Sequence, residues 1–215
     1  MGDVTKTGGN ENEGLPRVLR TLGRTLATVG APSGLLVDTV FMDISAQLLL
    51  IHSRANADLV LAHVLEDEER VTDLMDAFLQ GEYRVVQRAS MVVGNLGRER
   101  PEWLTPWHRR MIEFAGGPCH DAVRRCVMRY FSELLIEHID EDDAGRLIDL
   151  AFRLAADHQS AVAIRVFAIQ IVYNYTISYP ELKDELAGII EHTLAEGTTP
   201  GFRSRGTKIL RKLGR

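Results

Sequence analysis

The sequence predicts an all-α fold, a stack of about four helix hairpins preceded by further N-terminal helices. Three observations lead there. The stretch GEYRVVQRASMVVGNLG (from Gly81) recurs in altered form as HDAVRRCVMRYFSELL (from His120), QSAVAIRVFAIQIVYNY (from Gln159) and GFRSRGTKILRKL (from Gly201). One arginine near the start of each copy, Arg88, Arg125, Arg165 and Arg205, marks steps of 37, 40 and 40 residues. A period in that range belongs to stacked helix pairs, each of which covers the apolar side of the next. Finally, no segment alternates apolar and polar residues for long enough to read as a half-buried strand.

Composition agrees. Of 215 residues, 45% are hydrophobic and 26% charged, ordinary values for a globular chain and enough for one sizeable core or an extended stack. The formal net charge of −5 argues against a dedicated nucleic-acid binder, whose domains are usually basic. Two cysteines, Cys119 and Cys126, make no disulfide framework. On one helix they stand about two turns, or ~10 Å, apart, beyond bridging distance. The apolar run from Leu35 to His52 is interrupted by Asp38 and Asp43 and falls short of a membrane span. No basic region followed by an apolar one opens the chain, so no signal peptide is expected and a cytoplasmic location follows.

In order, residues 1–14 are polar and Gly-rich and read as a flexible arm. Leu15, Val18, Leu19, Leu22 and Leu26 fall at helical spacing, with Pro16 suited to a first turn. Gly30 to Gly34 breaks the chain. Helices are predicted from about Leu35 to His52 and from about Asn56 to Leu65, so that residues 15–65 form an N-terminal extension or cap. The repeat domain is placed at 66–215. Glu66 to Glu69 precede Val71, Leu74, Met75 and Phe78 and suit the positive end of a helix dipole. Gly81 ends that helix, and the link to the next is short enough to force an antiparallel pair. Pro101 and Pro106 predict a kinked or delayed start to the helix of Trp103, Leu104, Trp107, Met111 and Ile112. Asp140 to Asp143 open the third pair. The helix from Val162 to Ile177 is apolar nearly all round, as befits an enclosed element. Leu182, Leu186, Ile189, Ile190 and Leu194 give the stripe of the next helix, and Gly197 to Gly201 turn into the last.

Signs of catalysis are lacking. The seven histidines include no H-E-x-x-H pair, and none joins Cys119 and Cys126 at a spacing typical of zinc. Asp140 to Asp143 departs from a calcium loop. There is no nucleophile elbow and no carboxylate pair with a pocket around it. No cofactor, metal or catalytic residue is assigned.

GEYRVVQRAS, SAVAIRVFAIQI with YPELKDEL after it, and GFRSRGTKILRKL also carry a resemblance. Over about residues 58–213 the chain resembles a small bacterial HEAT-like, armadillo-type repeat protein. Such repeats place an acid, a valine and a basic residue around the turn and second helix. Asp121, Val123 and Arg125 match best, Glu82, Val86 and Arg88 form the first copy, Val162 and Arg165 remain in the third, and Arg205 in the fourth. The resemblance implies a right-handed α-α superhelix whose second helices line a concave face. Residues 82–97, 119–136, 160–178 and 201–213 together carry a net +8 against −13 for the rest of the chain. It therefore implies a basic inner face that steers an acidic partner, with Arg84, Arg88, Arg124, Arg125, Arg129, Arg165, Arg203 and Arg205 as candidate contacts. The competing role for Arg88, Arg125 and Arg165 is to stitch hairpins together through carbonyls or carboxylates. The expected function is a non-catalytic interaction module, or scaffold, for an acidic peptide or protein. The alternative is a nucleic-acid binder of the HEAT-like alkylpurine DNA glycosylase type, with Trp103, Trp107, Tyr130 and Tyr173 as stacking rings.

Overall fold

The computed structural model describes residues 42–215, which hold the compact unit Asp43–Arg215. The expected arm, the helix around Leu15 to Leu26, the break at Gly30 to Gly34 and the first part of the helix from Leu35 lie outside the described residues. Ten α-helices follow, with no strand among the described residues: α1 Ile44–Leu50, α2 Arg54–Leu65, α3 Arg70–Gln80, α4 Tyr83–Glu99, α5 His108–Gly116, α6 Asp121–Glu133, α7 Glu141–Ala156, α8 Val162–Tyr175, α9 Leu182–Ala195 and α10 Pro200–Leu213.

Local chemistry sets the helix starts. Asp43, Ser53 and Thr199 each cap a helix by accepting from a backbone N–H three residues on, which satisfies a donor the helix leaves unpaired. The Asp140 carboxylate does the same for Asp142 N at the start of α7, where Glu141, Asp142 and Asp143 fill the first turn. Glu66 to Glu69 behave differently from expectation. They form turns before α3, and Glu69 is its N-cap without a side-chain cap bond. The two prolines delay the second hairpin: Pro101–Trp107 is a 3-10 helix, and α5 begins only at His108. Gly214, at φ 83°, ends α10 in the left-handed conformation that glycine adopts without strain.

The hairpins build two layers. First helices α3, α5, α7 and α9 pack in succession, and second helices α4, α6, α8 and α10 pack in succession beside them. The pair α1 and α2 lies against α3 and α4 in the same way, α2 beside α4. Helix α8 touches α6, α7, α9 and α10, and Ile164, Ala168, Ile169, Ile171 and Val172 on it are fully buried, which accounts for its uniform apolarity. Helix α3 packs on α4, and Leu74, Met75 and Phe78 of the first and Val92, Val93 and Leu96 of the second are fully buried. Helices α4 and α6 approach closely where glycines lack a side chain. A Cβ at Gly94 would sit 3.0 Å from Cys126 Sγ, and one at Gly97 would sit 2.5 Å from the Tyr130 ring.

The cysteines are both free thiols. Cys126 donates its S–H to the carbonyl of Ser90 across this same contact, and burial pushes its pKa up to about 12, so it is an inert packing group.

Candidate partner-binding groove

A cavity of about 1040 Å³ opens across the second-helix layer. Three helices floor it with residues one turn apart. Gln87, Met91, Asn95 and Arg98 come from α4, Arg125, Cys126, Arg129 and Glu133 from α6, and Ala163 and Phe167 from α8. His52 and Arg54 at the α1–α2 turn and Leu135 and His138 after α6 also line it.

Charge in the cavity is unevenly matched. Arg129 Nε lies 2.8 Å and Arg98 Nε 3.4 Å from the Glu133 carboxylate, so two guanidiniums share one acid. Arg54 has Asp58 at 3.7 Å, one helical turn away. Arg125 is exposed and has no hydrogen bond or ion pair among the described residues. Four arginines and one carboxylate thus line the same space. Exposed apolar surface accompanies them, above all Leu135 at 60% exposure.

The eight arginines singled out from sequence fall into three groups. Arg125 and Arg129 line the cavity. Arg88, Arg124, Arg165 and Arg205 reach neighbouring elements instead. Arg88 donates to the Leu48 carbonyl at 2.7 Å and ties α4 to α1. Arg124 donates to the carbonyls of Ala115 and Gly117 at 2.9 and 2.8 Å and holds the α5–α6 turn. Buried Arg165 donates to the Ala155 carbonyl at 3.0 Å and to Thr193 Oγ1 at 2.9 Å, with its guanidinium 4.9 Å above the Phe202 ring. Arg205 donates to Gln170 Oε1 at 2.6 Å, and Gln170 and Asn174 carry the chain of bonds on to the Ser132 carbonyl. Arg84 and Arg203 are exposed outside the cavity lining.

Arg54 and Arg98 were not picked out from sequence. Arg98 was findable: it continues the row Gln87, Met91, Asn95 along one face of α4 at steps of three or four residues. Arg54 was not, because only the fold of the α1–α2 turn brings it to the cavity.

Three of the four candidate stacking rings lie elsewhere. Trp103 and Trp107 sit on the 3-10 helix before α5, each beneath an arginine, Arg100 at 5.7 Å and Arg110 at 5.0 Å. Tyr173 lies under the Lys212 ammonium at 5.1 Å. Tyr130 reaches the cavity at only 5% exposure. Its hydroxyl donates to the Pro101 carbonyl at 3.3 Å and lies 2.8 Å from His108 Nε2.

Two layers of successive hairpins with a cavity across the second helices define a helical-repeat protein. The chain belongs to the HEAT repeat family: the family model of the HEAT repeat domain matches residues 44–213. No curated protein and no solved structure matches it. Membership makes the chain a helical-repeat scaffold of the kind that mediates protein interactions, in a family generally without catalytic activity. No helix among the described residues is long and apolar enough to cross a membrane.

Proposed function

We propose that the cavity receives an acidic peptide segment of a partner protein, anchored by one apolar side chain. The observation that carries this reading is the surplus of guanidinium in one cavity. Arg98 and Arg129 share one carboxylate, Glu133, Arg125 is unpaired among the described residues, and Arg54 beside them has only Asp58, at 3.7 Å. An incoming carboxylate can bridge Arg125 and Arg129, which stand one turn apart, about 6 Å along α6, and can relieve the crowding at Glu133. Arginine favours this use because its planar fork pairs with carboxylates in two-point fashion. Leu135, Met91 and Phe167 supply the apolar surface beside it. Of the four candidate rings only Tyr130 lines the cavity, at 5% exposure, so they do not gather there as a stacking platform for nucleic acid.

The test uses fluorescein-labelled acidic peptides carrying a central Leu or Phe, with neutral and basic scrambles and a labelled DNA duplex as comparisons. Fluorescence anisotropy is read at low and physiological salt. The acidic peptides are expected to bind best and to weaken with salt, as screening requires. Arg125→Glu with Arg129→Glu is expected to weaken them at least about tenfold, which corresponds to ~1.4 kcal/mol. Arg84→Glu, outside the cavity, is expected to change little. Tighter binding of the duplex, or equal binding by the double variant, refutes the reading.

A further inference from the structure

We infer that His158, His192 and Glu196 form a binding site for a divalent transition-metal ion, zinc or a chemically similar cation, on the edge of the stack remote in sequence from the cavity arginines. Their ligand atoms all lie within 4.8 Å of one another. His158 Nδ1 is 3.6 Å and His192 Nε2 is 3.3 Å from the two oxygens of Glu196. With zinc–ligand bonds of about 2.0–2.1 Å, tetrahedral ligands stand about 3.3 Å apart. The separation to His192 already matches this value and that to His158 is slightly long, each to a different oxygen of Glu196. Rotations of these three exposed side chains bring one atom of each onto a single ion. The two imidazole rings are perpendicular with centroids 6.0 Å apart, so they do not collide.

The backbone around the three residues is held before any ion arrives. His192 and Glu196 are one turn apart at the end of α9, with Glu196 as its C-cap. His158 lies in the turn after α7, and Asp157 fixes that turn by accepting from Gln159 N at 2.9 Å and Ser160 Oγ at 2.7 Å. Arg165 then ties the two elements together, because its guanidinium bonds Ala155 at the end of α7 and Thr193 next to His192. Two helix C-termini, those of α7 and α9, meet here, and their carbonyl ends favour a cation. Asp157 adds a further negative charge, and the guanidinium of the nearby Arg165 is engaged by the carbonyl and hydroxyl it bonds.

Two imidazole nitrogens and one carboxylate suit zinc, copper, nickel or cobalt and disfavour magnesium and calcium, which take oxygen ligands. Three protein ligands leave a position for water. The bound ion would cross-link the third hairpin to the first helix of the fourth.

The experiment titrates zinc into untagged, chelator-treated full-length chain by calorimetry, with cobalt absorption as a report on imidazole ligation. One ion per chain is expected. His158→Ala, His192→Ala and Glu196→Gln are each expected to weaken it at least about tenfold, since even outer-shell partners cost that much. His52→Ala and His138→Ala, which lie at the cavity, are expected to leave it unchanged. At zinc a hundredfold above Kd the Tm is expected to rise by about 5–10 °C in the parent and not in His192→Ala, whereas magnesium and calcium give no rise. All five side chains are exposed, so circular dichroism of the variants is expected to match the parent. Zinc binding that persists in the three ligand variants, or no zinc-dependent rise in Tm, overturns the assignment.

Discussion

Replacing Arg165 by Met removes the two hydrogen bonds that join α8 to α7 and to α9 while keeping an unbranched stem over the Phe202 ring. The bonds, to Ala155 O at 3.0 Å and Thr193 Oγ1 at 2.9 Å, come from a charged donor, and such bonds contribute about 1.5–3 kcal/mol each. Part of that is offset by the cost of burying the guanidinium, the same desolvation that lowers its pKa below the ordinary arginine value, against the opposing pull of Asp157 and Glu196. Thr193 keeps its bond to the Ile189 carbonyl at 2.8 Å, so only the Ala155 carbonyl is left short of a partner. The net loss expected is about 2–3 kcal/mol. In a chain of this size that lowers Tm by roughly 4–12 °C. Arg165→Ala is expected to lose about 1 kcal/mol more through the space left over Phe202. Arg165→Lys should recover only part, because one ammonium cannot span both acceptors with the geometry of a planar fork. Urea unfolding monitored by circular dichroism measures the effect, with an unchanged slope showing that the unfolded state is the same. Hydrogen exchange should place the loosening in α8 to α10. If Arg165→Met stays within about 0.5 kcal/mol of the parent, the stitching role is refuted.

The buried imidazole of His108 makes stability depend on pH. Burial lowers its pKa from 6.5 to about 4, so the unfolded chain takes up this proton between those values and the folded chain does not. Its contribution is complete above pH 6.5 and is lost as pH falls toward 4, by up to about 3 kcal/mol. Tm measured from pH 7.5 down to 4.5 should therefore drop less steeply in His108→Gln than in the parent. The glycines separate packing from propensity. At Gly97 a Cβ would meet the Tyr130 ring at 2.5 and 2.7 Å, and Gly97→Ala is expected to destabilise by about 1–3 kcal/mol despite better helix propensity. At Gly145, on the exposed side of α7, nothing lies within 4 Å of an added Cβ. Gly145→Ala is expected to stabilise by about 0.5–1 kcal/mol. Thermal melts of the two variants side by side check both signs.

The hairpin architecture was legible because period and apolar stripes are properties of sequence. Val71, Leu74, Met75 and Phe78 are buried where their spacing puts them, and Pro101 and Pro106 delay α5 as their geometry demands. The metal-ligand cluster was illegible for the opposite reason. His158 and His192 are 34 residues apart, a separation that matches no short metal-binding spacing. Only the packing of the α7–α8 turn against the end of α9 makes them neighbours. The cavity was partly legible: a surplus of arginine on the second helices could be counted, but not which arginines face inward.

That last gap comes down to a single residue of register. Aligned by sequence, Arg125 is the counterpart of Arg165. The hydrogen bonds align Arg124 with it instead: Arg124 Nε reaches the Ala115 carbonyl at 2.9 Å and Arg165 Nε the Ala155 carbonyl at 3.0 Å, each at the end of the first helix of its own hairpin. The buried residue just before each arginine, Val123 and Ile164, confirms that register, since both are 0% exposed. One residue along a helix turns the side chain by about 100°. At Arg124 that angle points the guanidinium into the turn, where carbonyls consume its donors. At Arg125 the same chemistry faces the cavity, where no protein acceptor among the described residues meets it. Adjacent arginines in RR therefore divide the two roles between them. In this hairpin one arginine holds the turn and its neighbour does not, so Arg125→Glu is expected to leave the fold unloosened where Arg124→Glu does not.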